Sequence, residues 1–147
     1  MAKDYDPSMH TAEHILNQTM IRMFNCGRSV NAHIEKKKSR IDYLFQRDVT
    51  SEEITEIERR VNEVIQADLT VTEEFLTRPD AEKQFNLNKL PDDNANLIRI
   101  IRVGNYDACP CSGLHVSCTR DIGEFRIIST GHSGNILRMR FKLSQAL

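Results

Sequence analysis

A chain of 147 residues can bury one core, and its make-up, 39% hydrophobic and 28% charged, is that of an ordinary globular domain. A net charge of −1 excludes nucleic-acid binding through bulk electrostatics and leaves only a local basic patch for it. With no apolar run long enough to span a bilayer and no charged-then-apolar signal segment at the start, the expectation is a cytoplasmic protein without a membrane partner.

In chain order, residues 1–7 form a loose lead-in ending at Pro7, and Ser8 is the expected cap of a first helix. Ala12, Ile15, Leu16, Met20, Met23 and Phe24 recur at the helical period, and Gly27 is a natural stop. His10, His14, Asn17 and Gln18 share a neighbouring stripe, expected at the edge of the buried face. Val30, Ala32 and Ile34 alternate, as do Ile41, Tyr43 and Phe45, so two strands flank a basic turn over Lys36–Arg40. Thr50 and Glu53 form a capping box for a second helix with a core stripe of Ile54, Ile57, Val61, Val64 and Ile65. A short strand at Leu69–Val71, a helix from Pro79 to Phe85, and β-rich segments at Leu97–Val103, Ile122–Ile128 and Ile136–Leu143 follow. No repeat or linker divides the chain, so residues 1–147 read as one domain. Helices and hairpins come in mixed order without βα alternation, which predicts an α+β fold: an antiparallel sheet with helices packed on one face.

Two pairs of metal-type donors stand far apart in the sequence. His10 and His14, in HTAEH, project from one helix face a turn apart. Cys111 and His115, in CPCSGLHV, flank a Ser-Gly-Leu loop bent by Pro110 and Gly113. Four N and S donors suit tetrahedral zinc, and such a site would lie between the HxxxH helix and the CxxxH loop. Each pair alone has a plain reading, an exposed polar helix face or a turn holding a small cysteine; together they favour metal binding. Cys109 is a rival ligand, and Cys26 and Cys118, with no histidine nearby, read as structural. Lys36, Lys37 and Lys38 at the hairpin tip, and Arg138 and Arg140 with Lys142 on the last strand, are the candidate phosphate contacts if the substrate is a polynucleotide. Such a basic run at a hairpin tip is more often only a solvated turn.

HTAEHIL and CSGLHV, in this order, resemble the editing domain of alanyl-tRNA synthetases, the second additional domain of threonyl-tRNA synthetases and the free-standing AlaX-type proteins. RIDYLF, IERRVNEVI leading into LTV, IGEFRII and the terminal ILRMRF extend the resemblance from about Met9 to Lys142. The chain looks like the small, stand-alone type. Its loop, Cys111-Ser112-Gly113-Leu114-His115, departs from the family's C-G-G-T-H: leucine replaces a residue able to hydrogen-bond, which leaves the ligands intact and touches substrate selectivity.

The resemblance implies hydrolysis of mischarged aminoacyl-tRNA, seryl- or glycyl-tRNA for alanine first, with zinc held by His10, His14, Cys111 and His115. An activated ester needs a positioned water and a stabilised oxyanion rather than a covalent nucleophile. Zinc either activates that water or only orders the pocket, since four protein ligands fill a tetrahedron. Telling seryl from alanyl ester means rewarding one hydroxyl, for which Thr11, Gln18 and Asn31 are the candidates. Glu13 is the candidate base, or a partner to a ligating histidine, although its helix position points it toward solvent. Two alternatives stand beside this reading: a non-catalytic, zinc-stabilised domain that binds tRNA or another partner, and a hydrolase of another aminoacyl ester.

Overall fold

A computed structural model describes residues 6–87 and 96–144. The first helix, α1 (Pro7–Phe24), starts two residues earlier than expected: Asp6, not Ser8, is the cap, its carboxylate accepting from the Met9 N–H at 3.0 Å. Proline at the first helical position explains the shift, because it lacks the N–H that the first turn would leave unpaired. The helix also ends before Gly27. Asn25 takes the left-handed conformation, at φ 54°, and its N–H bonds the Ile21 carbonyl.

Strands β1 (Asn31–His33) and β2 (Ser39–Leu44) form the expected hairpin. Helix α2 (Ser51–Gln66) opens with the capping box as read: Glu53 N–H donates to Thr50 Oγ1, and Thr50 N–H to Glu53 Oε1. Strand β3 runs over Val71–Thr77 and shares only Val71 with the expected Leu69–Val71; exposed Glu73 and Phe75 masked its alternation. Helix α3 (Arg78–Gln84) follows with Pro79 in its first turn, then β4 (Leu97–Val103) and β5 (Asp107–Pro110). Strand β5 escaped the sequence reading. It ends in a proline, which only an edge strand tolerates, and it is indeed an edge. Ile122 lies in a 3₁₀ turn, Thr119–Ile122, ahead of β6 (Glu124–Ser133) and β7 (Ile136–Ser144). The alternation in β6 breaks at an irregularity between Ile127 and Ser129, which is why the pattern had ended at Ile128.

The α+β class and the antiparallel pairing are as expected, but the strands divide into two sheets, β1-β2-β7-β6 and β3-β4-β5. The larger sheet turns Ile41, Tyr43, Phe125, Ile127, Leu137, Met139 and Phe141 onto Ala12, Ile15, Leu16 and Met20 of α1 and Ile57, Val61 and Ile65 of α2, forming the main core. A smaller cluster, Ala81, Ile98 and Ile100, ties α3 to the other sheet. Helix α1 therefore has one side in the main core and another toward β4 and β5. No helix among the described residues is long and apolar enough to cross a membrane.

The turn from β4 to β5 needs a glycine. Gly104 has φ +51°, and a Cβ there would lie 3.0–3.3 Å from the Leu69 side chain. Gly104→Ala is expected to cost on the order of 1–2 kcal/mol in denaturant unfolding, through left-handed strain and the clash together.

Candidate metal centre

Helix α1 presents His10 and His14 to β5 and the loop behind it. That loop is pinned from β4, where Arg99 Nη1 donates to the carbonyls of Cys111 (3.2 Å) and Gly113 (2.8 Å), and Cys111 N–H returns a bond to Arg99 O. The histidine stripe is covered rather than at an edge over most of its length: His10, His14 and Asn17 are buried and Gln18 is half-buried. Donor atoms of His10, His14, Cys111 and His115 lie within 4.8 Å of one another, joining residues 101 apart in sequence. Cys111 Sγ is 3.3 Å from His10 Nε2 and 3.5 Å from His115 Nε2. A tetrahedral zinc with Zn–N and Zn–S bonds of ordinary length has ligand-to-ligand edges of about 3.3–3.8 Å. The cluster fits a metal ion of that kind.

The ring orientations follow from bonds behind the cluster. Thr11 Oγ1 gives its one proton to the Pro7 carbonyl at 2.9 Å, so toward His115 Nδ1, also at 2.9 Å, it can only accept. Val116 N–H donates to the same oxygen. His115 therefore carries its proton on Nδ1 and turns a bare Nε2 to the cluster. His10 Nδ1 lies 3.1 Å from the Leu114 carbonyl, which can only accept, so Nδ1 donates there and Nε2 is the nitrogen turned to the cluster. Asp107 Oδ2 stands 3.6 Å from His14 Nδ1, beyond hydrogen-bond length but close enough for charge attraction.

Ionisation in the metal-free state suits the same role. Burial opposes the Cys111 thiolate, yet the three imidazoles bring its pKa down to about 3. Burial also opposes a charged His14, but Asp107, Cys111 and Glu13 outweigh it and hold the ring at about 9. His115 is pushed down to about 4 by burial, with His14 and His10 adding to the effect against Cys111. Thiolate and neutral His115 are ready to ligate; the proton to displace near neutral pH is that of His14. Cys109, the rival ligand, stays outside the cluster, its thiol 3.4 Å from the Pro110 carbonyl and pushed up to about 12 by burial. Cys26 and Cys118 are free thiols.

Other expected site residues are placed differently. Thr11, expected at the substrate, is buried with its hydroxyl fully used by Pro7, His115 and Val116. Gln18 uses both ends of its amide, donating to Asp107 Oδ1 at 3.0 Å and accepting from Arg22. Asn31 is exposed on β1, opposite Asp42. Glu13 does not face solvent: its side chain is only 12% exposed, with Oε1 3.8 Å from His10 Nε2 and Oε2 accepting from Asn17 Nδ2 at 2.6 Å. Asn17 in turn accepts from the Ser29 N–H. Lys36, Lys37 and Lys38 are exposed in the β1–β2 turn, while Arg138 makes two bonds to Asp42, at 2.9 and 3.1 Å. Sequence reasoning missed Asp107 and Arg28. The Asp107 carboxylate, 4% exposed, is held by Arg28 at 2.8 and 3.2 Å, and no spacing rule marks a salt bridge between a loop and a strand so far apart.

Fold and cluster together define an α+β domain built around a candidate metal centre shared by two sequence motifs. Residues 98–138 match the family of the threonyl and alanyl tRNA synthetase second additional domain. An alanine–tRNA ligase of Neisseria gonorrhoeae is 33% identical over 129 residues, covering 83% of this chain and 14% of the relative. One from Coxiella burnetii is 31% identical over 134 residues, 88% of this chain and 15% of the relative, and one from Fervidobacterium nodosum 31% over 121 residues, 82% and 14%. The chain belongs to this family of second additional domains, and it spans about a seventh of the length of the ligases it matches.

Two measurements check the centre. Asp107→Asn is expected to weaken zinc binding by about 10- to 100-fold in a chelator competition, because the carboxylate no longer holds His14. Zinc affinity of the parent protein is expected to rise about tenfold per pH unit between about pH 7 and 8.5, as the proton leaving His14 becomes easier to displace. A flat profile would show that His14 carries no proton to lose.

Proposed function

We propose that this chain is a trans-editing deacylase that hydrolyses mischarged aminoacyl-tRNA, seryl- or glycyl-tRNA for alanine, at a zinc-containing pocket. The observation that carries this reading is the pinned cluster of His10, His14, Cys111 and His115, whose CxxxH half lies within the stretch that matches the synthetase second additional domain. A zinc ion held there would supply a fixed positive charge beside the ester. With four donors near tetrahedral spacing, the reading gives the water to Glu13. Its Asn17-anchored carboxylate adjoins His10 Nε2 and would hold the attacking water and take its proton as the ester carbonyl is attacked. The proton then passes to the departing ribose hydroxyl. Thr11 and Gln18 brace His115 and Asp107, whereas the Glu13 carboxylate stands 3.8 Å from Nε2 of His10, the nitrogen turned to the cluster. Leu114, 53% exposed, grips His10 through its backbone, leaving its side chain to shape the approach. Lys36, Lys37, Lys38, Arg138 and Arg140 are the phosphate contacts of this reading, and the cytoplasm its compartment.

A second reading has its own support: four protein donors fill a tetrahedral ion and leave no open position, as in a structural zinc site. It makes the chain a non-catalytic, zinc-stabilised tRNA- or partner-binding domain. Deacylation of seryl-, glycyl- and alanyl-tRNA for alanine separates the two. The deacylase reading expects the seryl or glycyl ester to be lost and the alanyl ester to survive. Cys111→Ala abolishes the reaction, and Glu13→Gln slows it by about 10²- to 10⁴-fold with zinc content unchanged. Survival of every ester in contact with zinc-loaded protein would sink it in favour of the binding domain.

A further inference from the structure

The four-stranded sheet has a second face that neither the core nor the metal centre uses. Residues alternate along β7, with Leu137, Met139 and Phe141 buried and Ile136, Arg138, Arg140 and Lys142 on the other side. Arg40 and Asp42 of β2 and Glu124 and Arg126 of β6 share that outer side. On β2, β7 and β6 five cations there meet two carboxylates, on a chain whose net charge is −1, and on β1 His33, bonded to Glu35, stands opposite Arg40. The carboxylates are already engaged, Asp42 with Arg138 and Glu124 with Arg126.

The pairing is the informative part. Arg40 stands directly opposite Arg140, and Arg126 directly opposite Lys142. Opposed residues on neighbouring strands have Cβ atoms about 4.5–5.5 Å apart, and like charges so placed are destabilising. A sheet surface normally alternates signs across strands; here two like-charge pairs are adjacent, joined through Arg140 and Lys142 two residues apart on β7. The Lys36–Lys38 turn extends the patch, since Ser39 pairs with Phe141 and so brings the turn to the Lys142 end. An arrangement that repels itself in the free protein is relieved by a ligand carrying closely spaced negative charges.

We infer that this outer face, centred on Arg40, Arg126, Arg140 and Lys142, is the surface that holds the phosphate backbone of RNA. The choice of RNA over another polyanion rests on the deacylase reading; the anion-binding face does not. The inference also changes the role of Arg138, whose bidentate bond to Asp42 makes it part of the frame that presents its neighbours.

The test is binding of uncharged tRNA at several salt concentrations, which needs no catalysis. For the parent protein the logarithm of affinity should fall steeply with that of salt. In Arg40→Gln/Arg140→Gln/Lys142→Gln the affinity at low salt should drop at least about tenfold and the slope shrink by about two to three. The single variant Arg140→Gln should lose about one unit of slope and so guards against a fold defect in the triple variant. Because the substitutions remove like-charge pairs, the thermal midpoint of the triple variant should stay equal or rise. Equal tRNA affinity in parent and triple variant overturns the assignment. So does a parent that ignores tRNA but binds vesicles of anionic phospholipid. Cleavage of seryl and glycyl esters on tRNA for alanine, read on the parent in parallel, keeps the two proposals apart. Cleavage without the salt-linked loss in the variants sinks this face alone; the salt-linked loss with no cleavage supports the face and sinks the deacylase.

Discussion

A carboxylate buried away from water must be matched by partners, and Asp107 draws its partners from separate parts of the chain. Arg28 comes from the loop after α1, Gln18 and His14 from α1 itself, while Asp107 opens β5. Meeting that one demand fixes α1 against the smaller sheet at the place where the CxxxH loop begins. The main core fixes the opposite side of the same helix. Helix α1 is thus held from two directions, by apolar packing on one flank and by a charged network on the other, and its histidines have little freedom left.

The metal centre inherits its order from that arrangement. His10, His14 and His115 each have a nitrogen turned away from the cluster: those of His10 and His115 meet a backbone carbonyl and a threonine hydroxyl, and that of His14 faces the Asp107 carboxylate at 3.6 Å. The threonine is the subtle case, because a hydroxyl can act either way until its own proton is committed. The helix commits it, four residues back, to Pro7. A local bond inside α1 thereby selects the tautomer of a histidine reached through a distant loop.

How much of this was legible in the sequence depends on how local the cause is. The four donors stood out because two pairs, each plain alone, together supply the N and S set that a tetrahedral ion takes. The α2 capping box and the alternation in β7 stood out because each is set within a few residues. The division into two sheets was hidden, since alternation shows that a strand has two faces and not which strand lies beside it. Asp107 and Arg28 were hidden for the same reason: their meaning lies in each other. Thr11 and Gln18 were misplaced because a polar residue beside a ligand can face the substrate or brace the ligand, and only the hydrogen-bond partners decide. Glu13 was placed in solvent by helix geometry alone, which could not know that Asn17 and Ser29 close over it.

The same sheet shows how one strand can serve two unrelated requirements. The period of two in β7 sends Leu137, Met139 and Phe141 inward, where apolar burial stabilises the fold, and sends charge outward, where packing places almost no constraint. Stability alone would be served by outward residues of alternating sign or no charge at all. Directly opposed arginines on β2 and β7 therefore work slightly against the fold that presents them. Asp42 marks the limit of that tolerance: it is the acid buried among these residues, and it takes Arg138 while leaving Arg40 and Arg140 facing each other. Inner and outer faces of the strand are thus governed by different physics, and only the outer one calls for a partner.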